Sequence, residues 1–212
     1  MEIHEALYTT RAMRRIRPDP IPVDAQARIL DAAIRAPHIG EEWRFILVDD
    51  PELKQRIAAL YLQAWERLFE RMGVRIEQIA ALDNAAGRAA RSGNHLAHHF
   101  AEVPLMLIGF GKTRDGSGIY PALWSAMLAA RAEGIGSTLT GVLQTFFADE
   151  MFEILGVPAE EGWVMHGLVP MGYPMGRWGV APRTPVDEVA ARNGWTGGLG
   201  FSVPEPLWPP AT

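Results

Sequence analysis

The sequence predicts an α+β fold. Helical patterns outnumber strand patterns, and the two do not follow the strict βαβ alternation of a doubly wound sheet. Hydrophobic residues make up 48% of the 212 positions, enough for a sizeable core. One large domain with appendages fits this length, and no internal repeat or separate linker interrupts the chain.

Each element has a local reason. Ile3, Ala6 and Leu7 mark a short opening helix, and Pro18, Pro20 and Pro22 then force an extended passage. Val23–Ala36 reads as a helix with Ile29, Leu30, Ala33 and Ile34 on its apolar face, ended by Pro37. Trp43–Val48 is aromatic and branched, hence a strand. Asp50-Pro51 is an N-cap followed by proline at the first helical position, and the helix it opens runs to about Arg71. Residues 75–101 read as helix interrupted at Gly87 and Gly93. Val103–Gly109 reads as a second strand, Tyr120–Glu133 as an apolar helix ended by Gly134 and Gly136, and Ser137–Val142 as a short strand. Ala148–Leu155 is a short helix and Trp163–Met171 the last core strand. From Gly172 onward the chain is rich in Pro, Gly and Trp and is expected to wrap over something else.

Composition narrows the function. A net charge of −5 argues against a broad nucleic-acid-binding face. With no cysteine there are no disulfides, thiolate metal sites or thiol nucleophiles. MEIHEALYTT lacks the apolar run of a signal peptide, and Val103–Phe110 is too short to span a bilayer. The expectation is a soluble cytoplasmic protein.

Within this acidic chain, TTRAMRRIRP packs Arg11, Arg14, Arg15 and Arg17 into seven positions. Two or three guanidiniums converging from extended backbone suit a phosphate dianion, but taken alone the segment reads better as a solvated basic turn with surface ion pairs. GFGKT, residues 109–113, is not a phosphate loop, because Met106 stands where that loop needs its first glycine. His95 and His99 are spaced i,i+4 and suit a shared metal, but the sequence supplies no third ligand and no H-E-x-x-H pattern. They read better as polar residues at a helix end, and no metal site is expected. Ser125, Ser137 and Ser202 lack a nucleophile elbow, and Glu41-Glu42 reads as an acid–base pair or as a polar loop.

Four stretches in order resemble the FMN-dependent nitroreductase family over residues 4 to about 195. They are TTRAMRRIRPDPIP, ILDAAIRAP with WRFILVDDPEL, IYPALWSAMLAARAEGIGSTLTG, and LVPMGYPMGRWGVAPRTPVDEV. The resemblance implies a central mixed or antiparallel sheet flanked by helices in an entwined homodimer, with the flavin sites at the interface. It implies an FMN-binding domain over 1–195 and a tail, 196–212, packed on the partner. It places Arg11, Ala12, Met13, Arg14 and Arg15 at the cofactor, with Arg11 and Arg14 gripping the phosphate and Arg183 joining them. Leu139, Thr140 and Gly141 fall beside the flavin ring, with a backbone N–H facing its N5. Pro37, His38 and Ile39 reach the site of the second subunit.

The implied activity is hydride transfer from NADPH or NADH through FMN to a nitroaromatic, quinone or other conjugated acceptor. The flavin carries the chemistry and no catalytic side chain is required. The alternative is a protein of this fold that binds flavin or another phosphate ligand without turnover. Two departures favour it: Ala12 replaces a frequent Ser or Asp, and the loop after Pro37 is two residues shorter than in the family and lacks its Asn and Gln, with the carboxylates of Glu41 and Glu42 nearby instead. Weaker FMN retention is the expected consequence.

Overall fold

The structure is a computed structural model that describes residues 1–38, 40 and 42–209. By internal contacts the chain divides into two units, Met1–Arg11 with Arg177–Thr212, and Ala12–Gly176.

The larger unit is built on a four-stranded antiparallel sheet in the order β1-β2-β4-β3. The strands are β1 (Trp43–Val48), β2 (Leu105–Gly111), β3 (Gly136–Ser137) and β4 (Val164–Gly172). Every residue of central β2 is buried, and strand alternation divides its side chains between two cores. Leu105 and Leu107 face α2 (Val23–Ala33) and α6 (Ile119–Ala132). Met106, Ile108 and Phe110 face α3 (Pro51–Arg71), α5 (Ala85–His98), α7 (Val142–Phe146) and α8 (Ala148–Leu155). The sheet is thus covered by helices on both faces, the helix-flanked antiparallel sheet that the resemblance implies. Asp50 caps α3 as expected, its carboxylate accepting from the Leu53 N–H at 2.8 Å.

Two expectations need correction. Gly87 and Gly93 do not interrupt the helix, because α5 runs through both after the separate short α4 (Ile76–Ala80). These glycines serve close approach: a Cβ on Gly93 would lie 2.4 Å from the Trp65 ring, and one on Gly87 1.8 Å from the Leu82 carbonyl. Ser137–Val142 is not one strand. β3 ends at Ser137, Thr140 makes a lone bridge to Leu168, and α7 starts at Val142.

The smaller unit holds α1 (Ile3–Thr9) and α9 (Val186–Val189). Tyr8 packs against Trp208 with ring centroids 5.9 Å apart, and the Asp187 carboxylate accepts from the Ser202 hydroxyl and the Val203 N–H. Trp195 is 98% exposed.

Candidate functional site

The arginine segment is held by backbone pairing at the end of the sheet. Ala12 bridges Ser137 in parallel, and the Met13 N–H donates to the Ser137 carbonyl at 2.9 Å. Further along, the Arg17 N–H donates to the Tyr173 carbonyl and the Met175 N–H to that of Arg15. Extended backbone turns successive side chains in different directions. Met13 is buried, Arg14 half-buried and Arg15 exposed. Arg17 is exposed, pairs with Asp19 at 3.3 Å and lies over the Tyr173 ring.

Arg14 has an unusual environment. Its Nη1 donates to the Ser92 hydroxyl at 3.4 Å, and it forms no salt bridge among the described residues. Burial lowers the guanidinium from its ordinary value, with a smaller opposite contribution from neighbouring Tyr61. Burial raises Tyr61 in turn, so its phenol stays protonated. That hydroxyl lies 3.3 Å from the Thr140 hydroxyl, and the Tyr61 ring stacks on Phe100 at 3.8 Å. Arg14, Tyr61 and Thr140 therefore form one polar group at the edge of the second core. A desolvated cation with no carboxylate partner attracts an anion.

Of the residues expected at the ring, Thr140 has its N–H committed to the Leu168 carbonyl at 2.9 Å. The N–H groups of Leu139 and Gly141 make no hydrogen bond among the described residues. Leu139 is 40% exposed and presents an apolar surface. The Gln144 amide donates to the Tyr120 hydroxyl at 3.4 Å, and that hydroxyl donates to the His166 carbonyl at 3.1 Å. The Gln144 Oε1 is buried without a partner among the described residues.

The remaining expected residues are placed as follows. Pro37 and His38 are exposed, His38 against Trp43 with centroids 4.4 Å apart. Ile39 and Glu41 lie outside the described residues. Arg11 and Arg183 both belong to the smaller unit. Arg11 donates to the Arg177 carbonyl at 3.0 Å, and Arg183 lines a cavity of about 470 Å³ with Leu7, Tyr8 and Leu207. Lys112 of the GFGKT stretch donates to the Glu161 carbonyl and sits over the Trp163 ring, which gives it a structural role.

Sequence reading missed Tyr61 and Ser92 as neighbours of Arg14. A tyrosine on the buried face of a long helix was the one available signal.

Because β3 carries the arginine segment, its glycine is a sensitive position. A Cβ on Gly136 would lie 2.8 Å from the Met13 Cβ, an atom fixed to the backbone. Gly136→Val should push the segment off the sheet and cost about 1–3 kcal/mol by overpacking. Urea unfolding should show a lower midpoint, and an unchanged midpoint would refute this packing.

Comparisons with known proteins identify the family and the fold. A sequence model of the nitroreductase family matches residues 7–173. An NADH dehydrogenase of Thermus thermophilus is 26% identical over 202 residues, covering 89% of this chain and 95% of that protein. A 5,6-dimethylbenzimidazole synthase of Rhodospirillum rubrum is 29% identical over 184 residues, covering 80% of this chain and 81% of that one. Among solved structures, oxidized iodotyrosine deiodinase bound to FMN and 3-iodo-L-tyrosine superposes with a TM-score of 0.71 at 19% identity, covering 92% of this chain and all of the other.

Proposed function

The chain belongs to the nitroreductase family, and from that premise we propose that it is an FMN-dependent oxidoreductase that takes hydride from NADH or NADPH and passes it to a nitroaromatic, quinone or other conjugated acceptor. The observation that carries the reading is the half-buried Arg14, without a carboxylate partner among the described residues, close enough to feel Tyr61, whose hydroxyl meets Thr140 in the segment expected beside the ring. This donor set fits a flavin: it offers a cation, two hydroxyls and the N–H groups of Leu139 and Gly141 next to exposed apolar surface.

When bound, the flavin supplies two-electron hydride chemistry. The chain's residues bind and orient it. Arg14 would hold negative charge, the N–H of Gly141 or Leu139 would donate to N5, and Leu139 would shape the ring-facing surface. Arg11, Arg15 and Arg183 are carried forward as phosphate contacts, and Ala12 and Met13 as cofactor-binding residues, on the strength of the resemblance alone. The buried, neutral Tyr61 fixes the Thr140 hydroxyl. Relatives named for different reactions leave the acceptor as part of the proposal.

We assign a homodimer to the same reading. Tyr120 and Trp124 stand one turn apart on α6, 36% and 42% exposed, beside half-buried Leu128. A second copy covering this aromatic stripe would remove it from water, and the tail from residue 196 is assigned to the partner's surface. No helix among the described residues is long and apolar enough to cross a membrane.

The test is visible absorbance of the purified protein with FMN, then with NADH or NADPH under anaerobic conditions. Flavin bands that bleach on adding the nucleotide are the expected result. Bound flavin that neither nucleotide bleaches would favour the non-catalytic binder, and failure to bind FMN would overturn the oxidoreductase reading and leave only a binder of another phosphate ligand.

A further inference from the structure

A cavity of about 240 Å³ in the larger unit shares no residue with the Arg14 group. Ile46, Phe110, Leu155, Val157 and Trp163 give it apolar walls, and the charged side chains of Arg44 and Glu161 also line it.

The register of the sheet explains how a cation comes to this place. Side chains two apart on a strand share a face, so Arg44 stands in one row with Ile46 and Val48, which pack in the second core. Across the ladder Arg44 pairs with Phe110 and Ile46 with Ile108, both buried in that core. Arg44 therefore continues an apolar row on the outermost strand. It is exposed and forms no ion pair among the described residues.

The rest of the lining is fixed in shape. Gly156 closes α8 in the left-handed region at φ 64°, its N–H donating to the Glu153 carbonyl and the Val157 N–H to the Phe152 carbonyl at 2.9 Å. This pair of bonds is a helix C-cap, and it sets the path of Leu155–Val157. The Trp163 indole N–H donates to the Glu161 carboxylate at 3.0 Å, and the Lys112 ammonium sits 4.1 Å from the Trp163 ring centroid. Phe110 meets Phe152 edge to face with centroids 5.8 Å apart.

The chemistry of the guest follows from this lining. Apolar and aromatic walls suit a flat ring. The volume lies below the roughly 300–1,000 Å³ of drug-sized pockets, which limits the guest to about one ring. Glu161 already accepts from Trp163, and the two cations Arg44 and Lys112 stand against this one carboxylate. The Arg44 guanidinium offers a planar fork that matches the two oxygens of a carboxylate.

We propose that this cavity binds a small aromatic carboxylate, its ring against Trp163 and its carboxylate on Arg44. The site is separate from the flavin site proposed above and does not rest on it. The competing role for Arg44 is protection of the sheet edge, because a charge on the core-facing row of an edge strand opposes pairing with another sheet.

The experiment titrates the full chain with benzoate, its neutral isostere benzamide and the cationic benzylamine, followed by saturation-transfer NMR with and without FMN. Benzoate should bind about tenfold more tightly than benzamide, the margin of one charge-assisted pair on an exposed arginine. Arg44→Gln should remove that preference and leave benzamide binding unchanged. Arg44→Lys should restore part of it, because the charge returns without the fork. Arg44 is exposed, so both variants should melt like the parent. FMN should leave the benzoate affinity as it was. Benzoate and benzamide bound alike, benzylamine preferred, or a benzoate preference that survives Arg44→Gln would each overturn the proposal. Displacement of benzoate by FMN would overturn it by moving the ligand to the flavin site. Self-association of Arg44→Gln with unaltered benzoate binding would leave Arg44 as an edge guard alone. Benzoate binding through Arg44 in a protein that takes up no FMN would support this site while removing the oxidoreductase reading.

Discussion

Replacing Arg14 with alanine should release the flavin, weakening FMN binding about ten- to a hundredfold. Hydrogen bonds to charged groups contribute about 1.5–3 kcal/mol each, which sets this range. Arg14 is half-buried, and its one side-chain hydrogen bond among the described residues, to Ser92, is long at 3.4 Å. Little native structure depends on it, so the variant should fold with an unchanged far-ultraviolet circular dichroism spectrum. Arg14→Lys should recover only part of the affinity, since an ammonium keeps the charge but lacks the planar fork. The measurement is FMN affinity by quenching of flavin fluorescence, with the flavin-to-protein absorbance ratio as a second readout. An Arg14→Ala protein that binds FMN as tightly as the parent would remove Arg14 from the site.

The sequence made Arg14 a candidate but could not show its surroundings. Arg11, Arg14, Arg15 and Arg17 look alike as a string, and only backbone pairing to Ser137 and Tyr173 separates the half-buried Arg14 from its exposed neighbours. Local signals performed well where local physics decides. Asp50-Pro51 opens α3 as read, and the run through Leu105–Gly111 forms the buried centre of the sheet. They failed where a distant partner decides. Gly93 resembles a helix breaker until Trp65 occupies the space above it. The stretch after Ser137 has strand-forming residues, yet only Thr140 finds a partner, in Leu168. Ser92, the partner of Arg14, stands 78 positions away, a separation no spacing rule reaches. The histidine pair was visible as an i,i+4 repeat. What the string could not give was the His95 carbonyl holding the His99 ring, or Arg14 lining a cleft with both histidines.

Leu123→Ala should produce the largest loss of stability. Leu123 is fully buried on α6, and its methyl carbons lie about where a side chain at Gly109 would begin, 3.0 and 3.2 Å from that position. The helix packs closely on β2 at this point and cannot easily collapse into a vacated volume. Leucine-to-alanine truncations in such cores cost about 2–5 kcal/mol. For a chain of this size each kcal/mol lowers the melting temperature by about 2–4 °C, so a fall of roughly 5–15 °C is expected. The melt should be followed without added flavin, because a ligand that binds the folded state raises the apparent midpoint. Val23→Ala, at a position 79% exposed, is the control and should shift the melt little. If Leu123→Ala shifted it no further than Val23→Ala, the packing of α6 on β2 would be wrong. The comparison with Arg14→Ala separates scaffold from site. Below its melting temperature Leu123→Ala should bind FMN with near-parental affinity, whereas Arg14→Ala should melt like the parent and bind FMN poorly. Opposite losses in the two variants are what a rigid sheet carrying a separate anion-binding edge requires.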